Sequence, residues 1–154
     1  MQAPTHLLIG IIIQKAVLKH SQFRGAFGIS IIIISAFFSH FIIDCFSRFT
    51  YHPPKADWND PFWVSYHLMI YSLTLIIIIL FGREYWIGII FSILVDIIDW
   101  GIIRGLLKKE GIIHPLIDKI SNFFFGENKY MYQKWTIIFE AILIIILWRI
   151  LYWI

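Results

Sequence analysis

Apolar residues in this chain fall in blocks long enough to cross a bilayer, not in alternation with polar ones. The blocks cover residues 26–46, 62–81, 85–103 and 135–154, and a helix needs about 20 mostly apolar residues to span the hydrocarbon core. A further block, residues 7–18, is shorter and is interrupted by Gln14 and Lys15. Extended from Pro4 to His20 it crosses, with Lys15 and Lys19 snorkelling to the surface; the alternative is a re-entrant or surface helix. The pattern predicts an all-α, multi-pass transmembrane bundle of four or five spans, a single membrane domain over residues 1–154. Phe81-Gly82-Arg83-Glu84 is a tight connection, so the blocks on either side of it form an antiparallel hairpin. Residues 112–125 mix apolar and polar positions at roughly helical spacing, which predicts an amphipathic helix in the interface plane. The paired prolines Pro53 and Pro54 exclude a regular helix from the loop 48–61. The N-terminus lacks the basic flank and small-residue cleavage site of a signal peptide, so the first block is expected to persist.

The ionisable residues inside or beside these blocks are His6, His40, Asp44, His67, Asp96, Asp99 and Glu140. Adjacent spans run in opposite directions, so all seven reach the same side of the membrane. Ionisable groups within spans are costly and mark functional sites by default. His40 and Asp44 are four apart and share a helix face, which suits either a shared metal or a carboxylate orienting an imidazole; Asp44 also stands four before Arg48, an edge ion pair in waiting. Asp96 and Asp99 are three apart, and two carboxylates so close repel unless a cation or a shared proton intervenes. Spacing between Asp99 and Arg104 is poor for a helical pair. Gly88 and Ser92 continue the Asp96 stripe with small residues that admit a neighbouring helix. His67 shares a face with Tyr71 and Thr74 and is a possible third ligand or a packing histidine. His6 starts the first block and can reach the same depth. Glu140 is a ligand, a general base or a solitary paired carboxyl. His52 and His114, beside prolines, read as structural or exposed, and His20 falls on the other side.

Composition changes this picture in few places. The chain has 154 residues, 59% hydrophobic, and a mean hydropathy of +0.76, which excludes an ordinary soluble domain. A net charge of +3 with no basic stripe and no recognition motif excludes a nucleic-acid partner. Cys45 is the single cysteine, so neither an internal disulfide nor a cysteine zinc site can form. Lys and Arg are more numerous on the side of residues 48–61 and 104–134, with Arg48, Lys55, Arg104, Lys108, Lys109, Lys119, Lys129 and Lys134, than on the other, with Lys15, Lys19, Arg24, Arg83 and Arg149. The positive-inside rule places the first set in the cytoplasm, and with it the polar cluster of an inner-membrane protein.

Imidazole and carboxylate without thiolate suit Zn²⁺, Mn²⁺ or Fe²⁺, with Zn or Mn the expected divalent metal, and two ions bridged by a carboxylate are possible. The expected metal ligands are His6, His40, Asp44, His67, Asp96 and Asp99, with Glu140 and Asp99 as catalytic groups. No nucleophilic Ser/His/Asp pattern, HExxH or phosphate-binding glycine loop is present. The segments Thr5-His6-Leu7-Leu8-Ile9-Gly10, Ser39-His40-Phe41-Ile42-Ile43-Asp44 running on to Pro53-Pro54, and Val95-Asp96-Ile97-Ile98-Asp99-Trp100 together resemble the small membrane-bound metal-dependent hydrolases, though in altered order. The resemblance implies a hydrolase acting at the cytoplasmic leaflet on a membrane lipid or lipid-like ester or phosphoester. The alternatives are an ion- or proton-coupled transporter or channel component using the same groups, and a non-catalytic membrane adaptor.

Overall fold

The segment with the weakest transmembrane signal is the centre of the bundle. Helix α1 (Ala3–Lys19) buries Pro4, Thr5, His6, Leu7, Leu8, Gly10, Ile11 and Gln14, more of its length than any other helix, and packs against all three long ones. A helix walled by protein can carry Gln14 and Thr5 where a lipid-facing one could not, because protein partners satisfy them. Gln14 donates to the Glu84 carbonyl (3.1 Å) and accepts from the Gly88 N–H (2.7 Å). This position excludes a surface helix for residues 7–18.

The structure is a computed structural model that describes residues 2–20, 25–51, 53, 57–126 and 133–154. Arg24, His52, Pro54, Lys55 and Lys129 lie outside the described residues. No strand occurs among those described. Helix α2 (Ala26–Cys45) is followed by α3 (Pro61–Asp96), which runs on into a π-helical segment, Ile97–Leu106. Helices α4 (Ile113–Phe125) and α5 (Ile137–Trp153) complete the chain. Three helical stretches, Ala26–Cys45, Pro61–Leu106 and Lys134–Trp153, are long and apolar enough to cross a membrane. Their outward faces carry exposed Ile34, Ile42, Ile79, Leu80 and Ile145, a continuous apolar exterior of the kind that contacts lipid.

Asp60 starts α3 by accepting from the Phe62 N–H at 2.9 Å, with Pro61 in the first turn where its missing N–H costs nothing. The helix is interrupted at Tyr85 (φ −114°, ψ 28°), and there the chain folds back. Tyr66 Oη lies 2.9 Å from Glu140, which also accepts from Thr5 Oγ1 at 3.2 Å. Asp96 Oδ1 lies 3.7 Å from His40, whose ring stacks on His6 at 4.1 Å. Thirty residues of uninterrupted helix would separate Tyr66 from Asp96 by roughly 45 Å; both instead lie beside the first turns of α1. The reversal falls beside Phe81–Glu84, and it lets Gly88 of the returning arm meet Gly10 of α1 backbone to backbone. A Cβ on either glycine would overlap the other's carbonyl oxygen.

Away from the polar groups the interior is apolar, with Leu7, Leu8, Ile11, Ile77, Tyr85, Ile89, Leu147 and Leu151 in one cluster. Helix α2 contributes one ridge, Gly28, Ile32, Ala36, His40 and Asp44, spaced four apart so that all point inward. The ridge ends on the two residues that carry the site.

Candidate metal centre

The site is built where the end of the α2 ridge, the returning arm of α3 and the start of α4 converge. Four atoms face one another there. His40 Nε2 lies 3.1 Å from Asp44 Oδ2 and 3.7 Å from Asp96 Oδ1. His114 Nε2 lies 3.0 Å from Asp96 Oδ1 and 3.4 Å from Asp44 Oδ2. Donor atoms around a tetrahedral ion with bonds of about 2.0–2.1 Å are separated by roughly 3.3–3.5 Å, a spacing that these four separations bracket. His40, Asp44, Asp96 and His114 form the one such group of three or more His, Cys, Asp or Glu side chains among the described residues.

Tautomers strengthen the fit. His40 Nδ1 is 2.8 Å from the Ser92 carbonyl, which can only accept, so Nδ1 carries the proton. In the neutral ring Nε2 is then a lone-pair acceptor, fully buried, without a hydrogen-bond partner and facing two carboxylates. An acceptor pressed against acceptors needs a cation between them. His114 repeats the arrangement: Nδ1 is 2.7 Å from Asp99 Oδ2, leaving Nε2 aimed at the group. A carboxylate behind a histidine that faces a metal is the usual way such a ligand is oriented.

Asp99 also gathers the backbone at the start of α4. Its carboxylate accepts from the Ile112 N–H (2.7 Å), the Ile113 N–H (3.1 Å) and the His114 N–H (3.3 Å). These are donors that a helix start leaves unpaired, and a negative charge there opposes the helix dipole. The other end of α4 is held in the complementary sense. The buried Arg48 guanidinium donates to the Ser121 carbonyl at 3.0 Å and to the Gly126 carbonyl. Two charges thus clamp α4 and fix His114 in its first turn. The expected Asp44–Arg48 edge pair gives way to this clamp and to the histidine partners of Asp44.

The π-helical turn explains one further departure. Residues five apart align in a π-helix, so Asp99 and Arg104, mismatched in an α-helix, approach to 3.9 Å. The Asp96/Asp99 repulsion is relieved by the His114 ring, which lies between the two carboxylates. Burial acts to lower the His114 pKa, but Asp44, Asp96 and Asp99 outweigh it and raise it from 6.5 to about 10. Without a metal, the cation among these carboxylates is the imidazolium.

The remaining sequence candidates fall in three places. His6 Nε2 is 3.1 Å from Asp44 Oδ1, the oxygen turned away from the four-atom group. Its ring lies flat on His40, so His6 braces the ligands instead of completing them. His67 is not brought to the group: its Nδ1 bonds to the Trp63 carbonyl at 2.8 Å and its ring stacks on Trp63 at 3.9 Å. Glu140 is buried in a separate network and accepts from the Gln2 N–H (3.0 Å), Thr5 and Tyr66. With both oxygens engaged by donors, it ties α5 to α1 and α3 and lies outside the four-residue group. His114 is the member of this group that sequence reasoning missed. The available signal was Pro115, which is tolerated in a helix's first turn and so marks His114 as the start of the predicted amphipathic helix. Comparison with protein-family models, curated proteins and solved structures returns no match.

Proposed function

We propose that the chain is a membrane-embedded, metal-dependent hydrolase acting at the cytoplasmic leaflet of the inner membrane on a lipid-like ester or phosphoester. The observation that carries this reading is the buried His40 Nε2, without a hydrogen-bond partner, facing Asp44 and Asp96 across a gap of coordination size. In this reading α1, α2, the two arms of the Pro61–Leu106 stretch and α5 each cross, giving five spans, and α4 lies at the interface. At about 1.5 Å per residue, the 46 residues of that stretch are roughly twice what one crossing needs.

His40, Asp44, Asp96 and His114 would hold the ion, with Ser92 and Asp99 fixing the two imidazoles. A bound divalent metal supplies an acidified water and polarises an ester or phosphoryl oxygen. Four protein donors close a tetrahedral zinc site, whereas catalysis needs an open position. Mn²⁺ or Fe²⁺ in a six-coordinate site keeps room for water and substrate. With zinc, Asp96 is the donor placed to yield, since its side chain is 32% exposed while His40 is 0%. Asp96 released in this way would be a carboxylate within reach of the incoming water, a position Glu140 does not have.

A transporter would need polar groups from side to side. The apolar cluster around Leu7, Ile11, Ile77 and Leu147 and the Gly10–Gly88 contact instead fill the other half, and a charge crosses such a layer only at high cost. The test is turnover of lipid esters and phosphoesters by metal-loaded protein in detergent, beside ion flux in sealed vesicles. The expected result is metal-dependent turnover abolished by His40→Ala, with no flux. Flux that requires Asp96, with no hydrolysis across a broad lipid panel, would overturn the hydrolase reading.

A further inference from the structure

Two surfaces adjoin the metal centre, and their chemistry is opposite. On one side a cleft of about 460 Å³ is lined by Arg104, Lys108, Lys109, Glu110, Gly111 and Pro115. Gly111 and Pro115 flank the His114 segment, and Arg104 approaches Asp99. Three cations face one carboxylate there. Arg104 is held flat over the Trp100 ring at 3.9 Å, and its buried Nε has no hydrogen-bond partner. Lys108 sits at φ +54°, the single described non-glycine residue with positive φ. That region is costly for a long side chain and is kept where surrounding structure requires it. No ion pair among the described residues engages Lys108 or Lys109.

On the other side a groove of about 320 Å³ runs between α2 and α4, walled wholly by apolar surface that includes Phe41, Cys45, Ile117 and Phe124. Phe41 and Cys45 directly follow His40 and Asp44, and Ile117 is one turn beyond His114. The metal centre therefore has both a cationic cleft and an apolar groove beside it. This matches an amphiphile with an anionic head: phosphate needs fixed cations, and an acyl chain needs an apolar channel that hydrogen-bonds to nothing.

We propose that the substrate is an anionic phospholipid, its phosphate held by Arg104, Lys108 and Lys109 and an acyl chain lying in the groove between α2 and α4. This rests on the hydrolase reading for the word substrate, but the binding itself needs no metal and no turnover. The test uses the full chain in a neutral detergent, stripped of metal by a chelator. Binding of a short-chain phosphatidic acid is compared with that of the diacylglycerol of the same chains and with inorganic phosphate. The phosphatidic acid should bind about tenfold more tightly than either. Lys108→Ala with Lys109→Ala should remove its advantage over diacylglycerol; both positions are exposed, and Arg104 keeps its packing. Ile120 also lines the groove, and Ile120→Trp, which fills it, should weaken the lipid and leave phosphate binding unchanged. Equal affinity for the charged and neutral lipids overturns the proposal, as does phosphate binding as tightly as the lipid or a preference that survives the double substitution. Hydrolysis of neutral lipid esters without charge preference would overturn this proposal and leave the hydrolase reading standing. Charge-selective binding with no turnover of any lipid would do the reverse.

Discussion

His114 shows how much one side chain's surroundings decide. It stands in the first turn of α4, beside a proline, yet it bonds to Asp96 and Asp99 and lies 3.4 Å from Asp44. Because its proton is held up to a pKa of about 10, a metal must displace that proton in order to bind. Metal uptake at neutral pH should therefore release a proton, and affinity should rise by about tenfold per pH unit until the pKa is reached. Calorimetry in buffers of different ionisation enthalpy reads this directly; pH-independent uptake would contradict it. In the metal-free protein the sign is opposite for stability. The folded pKa lies above the ordinary 6.5, so this contribution is full below pH 6.5 and is lost as pH rises through about 10. Asp99→Asn removes the charge that orients His114 and caps α4. Metal affinity should fall about 10- to 100-fold, and hydrogen exchange of the first α4 amides should quicken. Unchanged affinity would mean that Asp99 does not orient the ligand.

At the scale of elements, the blocks residues 26–46 and 135–154, the amphipathic segment and the inward face carrying His40 and Asp44 were legible, because each rests on a period within one helix. The Asp96–Asp99 problem was legible too, since two carboxylates at that spacing demand a cation or a shared proton between them. The rest depended on contacts between segments far apart in the chain. Nothing local marks α1 as the central helix; its polar Thr5 and Gln14 look like interruptions until the Glu140, Glu84 and Gly88 partners are in view. His67 was assigned by depth alone, and its ring turned to Trp63. The π-helical turn after Asp96 shifted the register in which Arg104 was judged. The α1–α3 contact offers a test at this scale. Gly10→Leu must push α1 away from Gly88, and overpacking of this kind costs about 1–3 kcal/mol. Ser92 lies on the same contact and its carbonyl holds His40, so thermal stability and metal affinity should fall together. A variant that loses neither would place the helices further apart than described.

For the whole molecule, polar groups gather at one end of the bundle and apolar packing closes the other. The proposed orientation puts that polar end, with Arg104, Lys108 and Lys109, in the cytoplasm. In a Cys45→Ser background, Lys109→Cys should resist impermeant thiol reagents in intact cells and react after permeabilisation. Labelling of intact cells would turn the site to the outer leaflet. The claim on which everything else depends is that the group of His40, Asp44, Asp96 and His114 binds a metal. Elemental analysis of purified, folded protein tests it most directly. About one transition-metal ion per chain is expected, lost in His40→Ala and Asp96→Ala but kept in Glu140→Gln, whose network is separate. Folded wild-type protein that carries no metal and takes up none on titration would contradict it.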